Sequence, residues 1–355
     1  MTLLESAPAG ERRENLPFSP EVSWCNTELD NSGLRVSYMQ VSDISDKDPN
    51  KDRVQHHIAD LDSFLADNPS WSAPQIIDGE LDDDSLNKVS EYLYGDHFPA
   101  LREWRKGVPS AKALSNIYRP QAIRLTGNAG ENTELFSGGV IDQNTSGYFM
   151  NGLDSIGIRT RAGLLGMIAA DYSDGDARRW ISLACGAAIP VIDALGVNKN
   201  NVQLELIDYD DEALQFAKQF AEEASLVEGE QFSLLNRNLV RGLIASDSLV
   251  GELGEASADM VDMIGIFEYF DHTHAAKMLQ NAYRLVAPDG ALVFANMLSS
   301  RPQLDFNLRG VGWPDIYPRS MDELAAIMTD AGISLDQAEV FVPEDGVYAV
   351  IKVRK

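Results

Sequence analysis

Cysteine is nearly absent: Cys25 and Cys185 are the only two in 355 residues, and they lie far apart. That argues against a disulfide scaffold and a cysteine-built metal centre, so no metal site is expected and a reducing, cytoplasmic setting fits. Basic residues are scarce too. Twenty-nine Lys and Arg face 55 Asp and Glu, a formal net charge of −26, which argues against binding nucleic acid or an anionic membrane over a broad surface. No apolar run reaches the length of a membrane span. The opening residues, MTLLESAPAGERRENLPF, lack the apolar centre of a signal peptide. Apolar content, by contrast, is ordinary at 44%, enough for a sizeable core and against wholesale disorder.

What is present is organised around residues 180–210, WISLACGAAIPVIDALGVNKNNVQLELIDYD. The apolar run at 181–184 predicts a strand, Gly186 a bend, 190–195 a helix, and 202–207 a second strand that ends on Asp208 and Asp210. Strand, glycine turn, helix, strand, acid is how α/β sheets hold a ribose-containing ligand at the carboxyl ends of parallel strands. Asp210 is expected to cap a helix with Ala213, Leu214, Phe216, Ala217, Phe220, Ala221 and Ala224 on its apolar face. Further strands are expected at 232–235, 260–266 and 291–296, with Thr273 capping a helix before the last. Ser320 and Glu323 form a capping box for a helix that stops at Gly332. Runs at 338–342 and 348–353, joined by Pro343, Glu344, Asp345 and Gly346, read as an antiparallel pair.

Upstream the signals are weaker. Residues 36–41 suit a strand, and helical patterns occupy 52–65, 82–94, 97–105 and 112–124. Glycines at 130, 138, 139, 147 and 152 mark a turning connector. The chain is therefore divided into a mainly helical N-terminal domain at 1–125, suited to capping a site or to dimerisation, a Gly-rich connector at 126–155, and a ligand-binding domain at 156–355 opening with a helix at 156–172.

The sequences SLACGAA, LIDYD, IFEYFDH and RLVAPDGALVFANM, in this order and followed by the closing hairpin, resemble class I S-adenosylmethionine-dependent methyltransferases over residues 156–355. The resemblance implies a Rossmann-like α/β fold, a seven-stranded sheet whose last strand is inserted antiparallel. It implies that Ala184, Gly186 and Ala188 lie under the methionine and ribose of S-adenosyl-L-methionine, and that Asp208, with Tyr209 beside it, accepts hydrogen bonds from the ribose. Asn238 and Leu239 would meet the adenine, and Ile266 and Phe267 the methionine and the acceptor. The family's first loop has two or three glycines, and this chain keeps only Gly186. Aligned on a G-x-G-x-x-G pattern, the flanking positions are Ala184 and Ile189, and a β-branched Ile is poor where a helix must pack closely against a pyrophosphate. A nicotinamide-dependent oxidoreductase is disfavoured on that ground. A non-catalytic relative that keeps a ligand or partner without turnover stays open as the alternative.

Methyl transfer rests on positioning the acceptor and excluding water, with a general base where the acceptor atom carries a proton. The residues after the fourth strand of this domain supply candidates: His272 and Glu268 as base, Tyr269 to orient the acceptor. Equally, His272 and His274 are residues of a helix start that water can solvate. Asn296 and the insertion at 301–319 offer acceptor contacts in Arg309, Trp313 and Tyr317, and Arg309 with Arg319 suits an acidic acceptor. The plainer reading is that Trp313 and Tyr317 pack the insertion down. Tyr148, Phe149 and Arg161, ahead of the first strand, are placed to cover the cofactor and acceptor. The expected protein is a cytoplasmic O- or C-methyltransferase for a small natural-product or fatty-acid-like acceptor, with a homodimer left open.

Overall fold

The apolar runs become strands of one sheet: β1 (Val22–Leu29), β2 (Arg35–Val41), β3 (Arg178–Leu183), β4 (Val202–Asp208), β5 (Phe232–Asn236), β6 (Ala258–Met263), β7 (Val286–Met297), β8 (Ala338–Pro343) and β9 (Tyr348–Arg354). The computed structural model describes residues 21–72, 89, 92–93, 99–120, 141–170, 178–195, 202–313 and 315–355. Among these the strand order is β1-β2-β8-β9-β7-β6-β3-β4-β5. From β5 across to β8 it is the sheet the resemblance implies, with β9 antiparallel to both β7 and β8. The expected helix at 82–94 and the glycines at 130, 138 and 139 lie outside the described residues, apart from residues 89, 92 and 93.

Among the described residues the sheet has nine strands rather than the expected seven. β1 and β2 form an antiparallel hairpin, and β2 pairs parallel with β8 from Arg35 opposite Glu339 to Met39 opposite Pro343. The hairpin covers what would be an exposed sheet edge. The start of the chain is thus not only helical. β1 gave no sequence signal because an edge strand with polar residues on both faces needs no apolar alternation, and most of it is solvent-exposed.

Alternation along the strands fills both faces of the sheet. Ile181 and Leu183 point toward α8 (Ser248–Leu253), α9 (His272–Leu285) and α10 (Met321–Asp330). Trp180, Leu204 and Leu206 point toward α5 (Leu153–Ala170), α6 (Ile189–Ala194) and α7 (Asp211–Glu223). Asp210 caps α7 as expected, its carboxylate accepting from the Glu212 amide at 2.9 Å, and the Ser320–Glu323 capping box is formed. α9 begins two residues earlier than the sequence suggests. Asp271 rather than Thr273 is its cap, accepting from the His274 amide at 3.0 Å.

A third core lies at the carboxyl ends of the strands. There α1 (Lys51–Asp67), α2 (Pro99–Lys106), α3 (Ala111–Tyr118) and α4 (Gln143–Asn151) pack Leu61, Leu65, Trp104, Ile117, Tyr148 and Phe149 with Phe306 and Trp313 of the insertion. The same cluster includes Ala187, Ile189, Met297 and Tyr348 from the sheet's loops and strand ends. The N-terminal helices and the insertion together form a cap on the sheet's carboxyl edge. Among the described residues no helix is long and apolar enough to cross a membrane.

Candidate functional site

β3 pairs with β4 on one side and β6 on the other. The chain runs outward from β3 to β5, then returns to β3's far side. Loops leaving β3 and β6 therefore diverge and open a crevice between them, which is where open α/β sheets bind ligands.

The loop after β3 is wound by three left-handed residues, Ala184 (φ 52°), Gly186 (φ 54°) and Ala188 (φ 54°). Glycine adopts this conformation freely, whereas each alanine carries about 1–2 kcal/mol of strain. The Cys185 amide donates to the Ile207 carbonyl at 3.0 Å, and the Ala188 amide to the Cys185 carbonyl at 2.8 Å. Asp208 ties the loop to the end of β4: its Oδ2 accepts from the Gly186 amide at 2.9 Å and its Oδ1 from the Asp210 amide at 3.1 Å. Burial pushes the Asp208 carboxyl above its ordinary range, opposed by hydrogen bonds from the Asp210, Gly186 and Tyr209 amides. Four of the predicted cofactor residues thus meet around one loop. The others are more scattered. The Tyr209 ring is 70% exposed, Leu239 is buried, and Asn238 is exposed with its Oδ1 accepting from the Arg241 amide at 3.0 Å. Ile266 is partly buried, and Phe267 is fully buried with its ring 4.7 Å from that of Phe294.

Beyond the loop after β6 lies a buried polar group. Glu268, 2% exposed, accepts from the Met297 amide at 3.2 Å and sits 3.9 Å from Arg161 Nη1. Burial raises its pKa, and Arg161 opposes the rise. Arg161, on α5 and 3% exposed, lies 4.3 Å over the Tyr348 ring and donates from Nη2 to the Tyr118 hydroxyl at 3.4 Å. Among the described residues its Nε and Nη1 have no hydrogen-bond acceptor, and a buried donor left so costs about 1–3 kcal/mol. The Tyr269 hydroxyl accepts from Trp313 Nε1 at 2.9 Å. Burial raises the Tyr269 pKa, so it is protonated at neutral pH. Tyr118 and Tyr348 carried no motif and were missed. They reach the site from the end of α3 and the start of β9, which only the topology brings together.

Several predicted residues have other employment. His272, 47% exposed at the start of α9, places Nε2 2.7 Å from Asp330 at the end of α10, on the outer helical layer and apart from the Glu268 group. Asn296 is fully buried, donating to the Met297 and Tyr317 carbonyls and accepting from Arg319 Nη1 at 2.6 Å, and so braces the insertion. Arg309 pairs with Asp305 and donates to the carbonyls of Leu65, Asn68 and Trp71. It caps α1, whose last carbonyls lack helical partners. Tyr148 and Phe149 are core of the cap, each about 5 Å from Trp104 (5.4 and 5.2 Å between ring centroids). Tyr317 is half-exposed, and its amide donates to the Glu268 carbonyl at 2.7 Å. The cap also reaches the loop after β3: a Cβ on Gly186 would stand 3.8 Å from Ala111 of α3, and Arg119 just beyond α3 grips Asp193 of α6 through two 2.7 Å hydrogen bonds.

No family model matches the sequence, and no curated protein matches it. Solved structures do. A possible exported protein from Bordetella parapertussis is 17% identical with a TM-score of 0.50, covering 78% of this chain and 99% of that one. An O-methyltransferase family protein from Burkholderia thailandensis is 18% identical (TM-score 0.41, 75% and 71% covered). Magnesium protoporphyrin IX methyltransferase from Synechocystis, with S-adenosylhomocysteine bound, is 13% identical (TM-score 0.46, 71% and 97% covered). At these identities the likeness is one of fold.

Proposed function

We propose that the chain is an S-adenosylmethionine-dependent methyltransferase for a small-molecule acceptor, modifying oxygen or carbon. One observation carries the reading: a left-handed loop after β3 is held against a buried acid at the end of β4, at the point where the strand order reverses. The residues present fit the donor. Asp208 offers carboxylate oxygens to ribose hydroxyls, and the bare Gly186 backbone lets the ligand approach. When bound, S-adenosylmethionine supplies an electrophilic methyl group on its sulfonium. The chain's part is to orient the acceptor and exclude water, for which the cap over the carboxyl edge is suited. Glu268, with its raised pKa, is the base we assign where the acceptor atom carries a proton, and the protonated Tyr269 hydroxyl orients the acceptor. His272, paired with Asp330 on the outer layer, is not given that role. We retain the division at 125–155 as part of this reading, with the N-terminal helices acting as the cap.

The test is calorimetric titration of the purified protein with S-adenosylmethionine and with S-adenosylhomocysteine. Binding is expected, and Asp208→Asn should weaken it by about 1.5–3 kcal/mol, roughly 10- to 150-fold in Kd. Absence of binding at millimolar ligand overturns the reading.

A further inference from the structure

Several arginines of the cap and crevice are buried, and most have their charge answered. Arg159 pairs with Asp43, Arg301 with Asp154 at 2.5 Å, and Arg319 donates to Asn296 and to the carbonyls of Phe267 and Phe270. Arg301 leaves one nitrogen, Nη2, without an acceptor among the described residues, whereas Arg161 leaves two and has no carboxylate at hydrogen-bond distance. Its nearest carboxylate, Glu268, stays at 3.9 Å and spends its other oxygen on the Met297 amide. Two guanidinium nitrogens have no acceptor among the described residues, although the side chain is 97% buried. The Tyr348 ring beneath and the Tyr118 hydroxyl beside it hold the group in one orientation. A fixed, buried cation with unused donors in a chain of net charge −26 is suited to one kind of ligand group, a planar anion that accepts several N–H bonds.

We propose that Arg161 is a carboxylate-binding site in the crevice, receiving an acid group of the bound ligand. The proposal rests on the methyltransferase reading for its ligands. That reading offers two sources of the same chemistry: the methionine tail of the methyl donor, or a carboxylic acid on the acceptor. The aromatic side chains nearby, Tyr118, Tyr348, Tyr269 and Trp313, suit an aromatic acid in the second case.

The test uses the full chain and calorimetry at low salt and neutral pH. In one arm, S-adenosylhomocysteine is compared with its decarboxylated analogue. In the other, benzoate is compared with its neutral isostere benzamide, with and without S-adenosylhomocysteine. The wild-type protein is expected to prefer the carboxylate at least tenfold in one arm, and the arm that shows it identifies the source. In Arg161→Gln that preference should fall to within twofold, and Arg161→Lys should keep part of it. Should Arg161→Gln fail to fold, the wild-type comparison still decides. Equal binding of acid and neutral partner in both arms, or no binding in either, overturns the proposal. So does a preference that survives in Arg161→Gln. If S-adenosylhomocysteine does not bind while benzoate is preferred over benzamide, the cofactor reading fails and the carboxylate site stands.

Discussion

Replacing Asp262 with Asn should remove a specific part of the protein's dependence on pH. Asp262 lies on β6, 2% exposed, where its Oδ2 accepts from Trp180 Nε1 at 2.7 Å and its Oδ1 from the Ser182 hydroxyl at 3.1 Å. Burial pushes its pKa from the ordinary 3.8 up to about 7, against the lowering effect of those two hydrogen bonds and of the Ile264 amide. The folded state therefore holds a proton that the unfolded chain releases near pH 4. Stability from that proton is fully present below about pH 4 and is lost as the pH rises through about 7. At about 1.4 kcal/mol per pH unit the loss comes to about 4 kcal/mol, an upper figure for a group that can relax. Asn keeps an oxygen for Trp180, and the Ser182 hydroxyl can turn to accept from the new amide. Urea unfolding of wild type and Asp262→Asn at intervals between pH 4 and 8 reads the difference directly, since the other carboxylates contribute equally to both. The wild type should lose stability relative to the variant by a few kcal/mol across that window. Parallel curves would refute the buried, protonated carboxyl.

Asp43→Ala should cost about 3–5 kcal/mol in urea unfolding, because it strands Arg159, only 1% exposed, without the carboxylate that holds it through 2.7 and 2.8 Å hydrogen bonds. Gly157→Ala should destabilise by about 1–2 kcal/mol although alanine suits helices better. A Cβ there would lie 2.6–2.9 Å from the three side-chain carbons of Val347, and overpacking outweighs a propensity gain of about 1 kcal/mol. A rise in melting temperature contradicts this contact. Ala184→Gly and Ala188→Gly should each leave stability unchanged or up to about 1 kcal/mol higher, relief of left-handed strain outweighing the added chain entropy. A loss of about that size in thermal melts refutes the left-handed loop.

The α/β part of the chain was legible because its signals are local. The apolar runs at 202–207 and 260–266, Asp210 as a cap, the Ser320–Glu323 box and the closing hairpin each announce themselves within a few residues, and each falls close to an observed element. β1 was not legible. Its contribution lies in pairing with β2, which in turn covers β8 from more than 300 residues away, and neither face of β1 needs to be apolar for that. Asp271 displaced Thr273 as the cap of α9 because a carboxylate one residue before the helix can hold both the His274 amide and, at 2.8 Å, the His274 ring.

Site residues divide along the same line. Residue type suggested chemistry for His272, Arg309 and Asn296, but type does not reveal the partner. Asp330, the end of α1 and Arg319 had already engaged them. Burial reverses the usual weighting here: an exposed histidine at a helix start finds a nearby acid cheaply, whereas a buried arginine must be answered or pay for its desolvation. Arg159, Arg301 and Arg319 are answered by acids, amides or carbonyls drawn from distant parts of the chain, so the cap and the sheet are joined through them. Arg159 alone links Asp43 to the carbonyls of Ile117, Phe149 and Met150. Arg161, next to this network on α5, stands 3.9 Å from Glu268, over the Tyr348 ring and beside the Tyr118 hydroxyl. In the sequence Arg161 is one polar residue in an amphipathic helix. The surroundings that α5, α3 and β9 build about it set it apart.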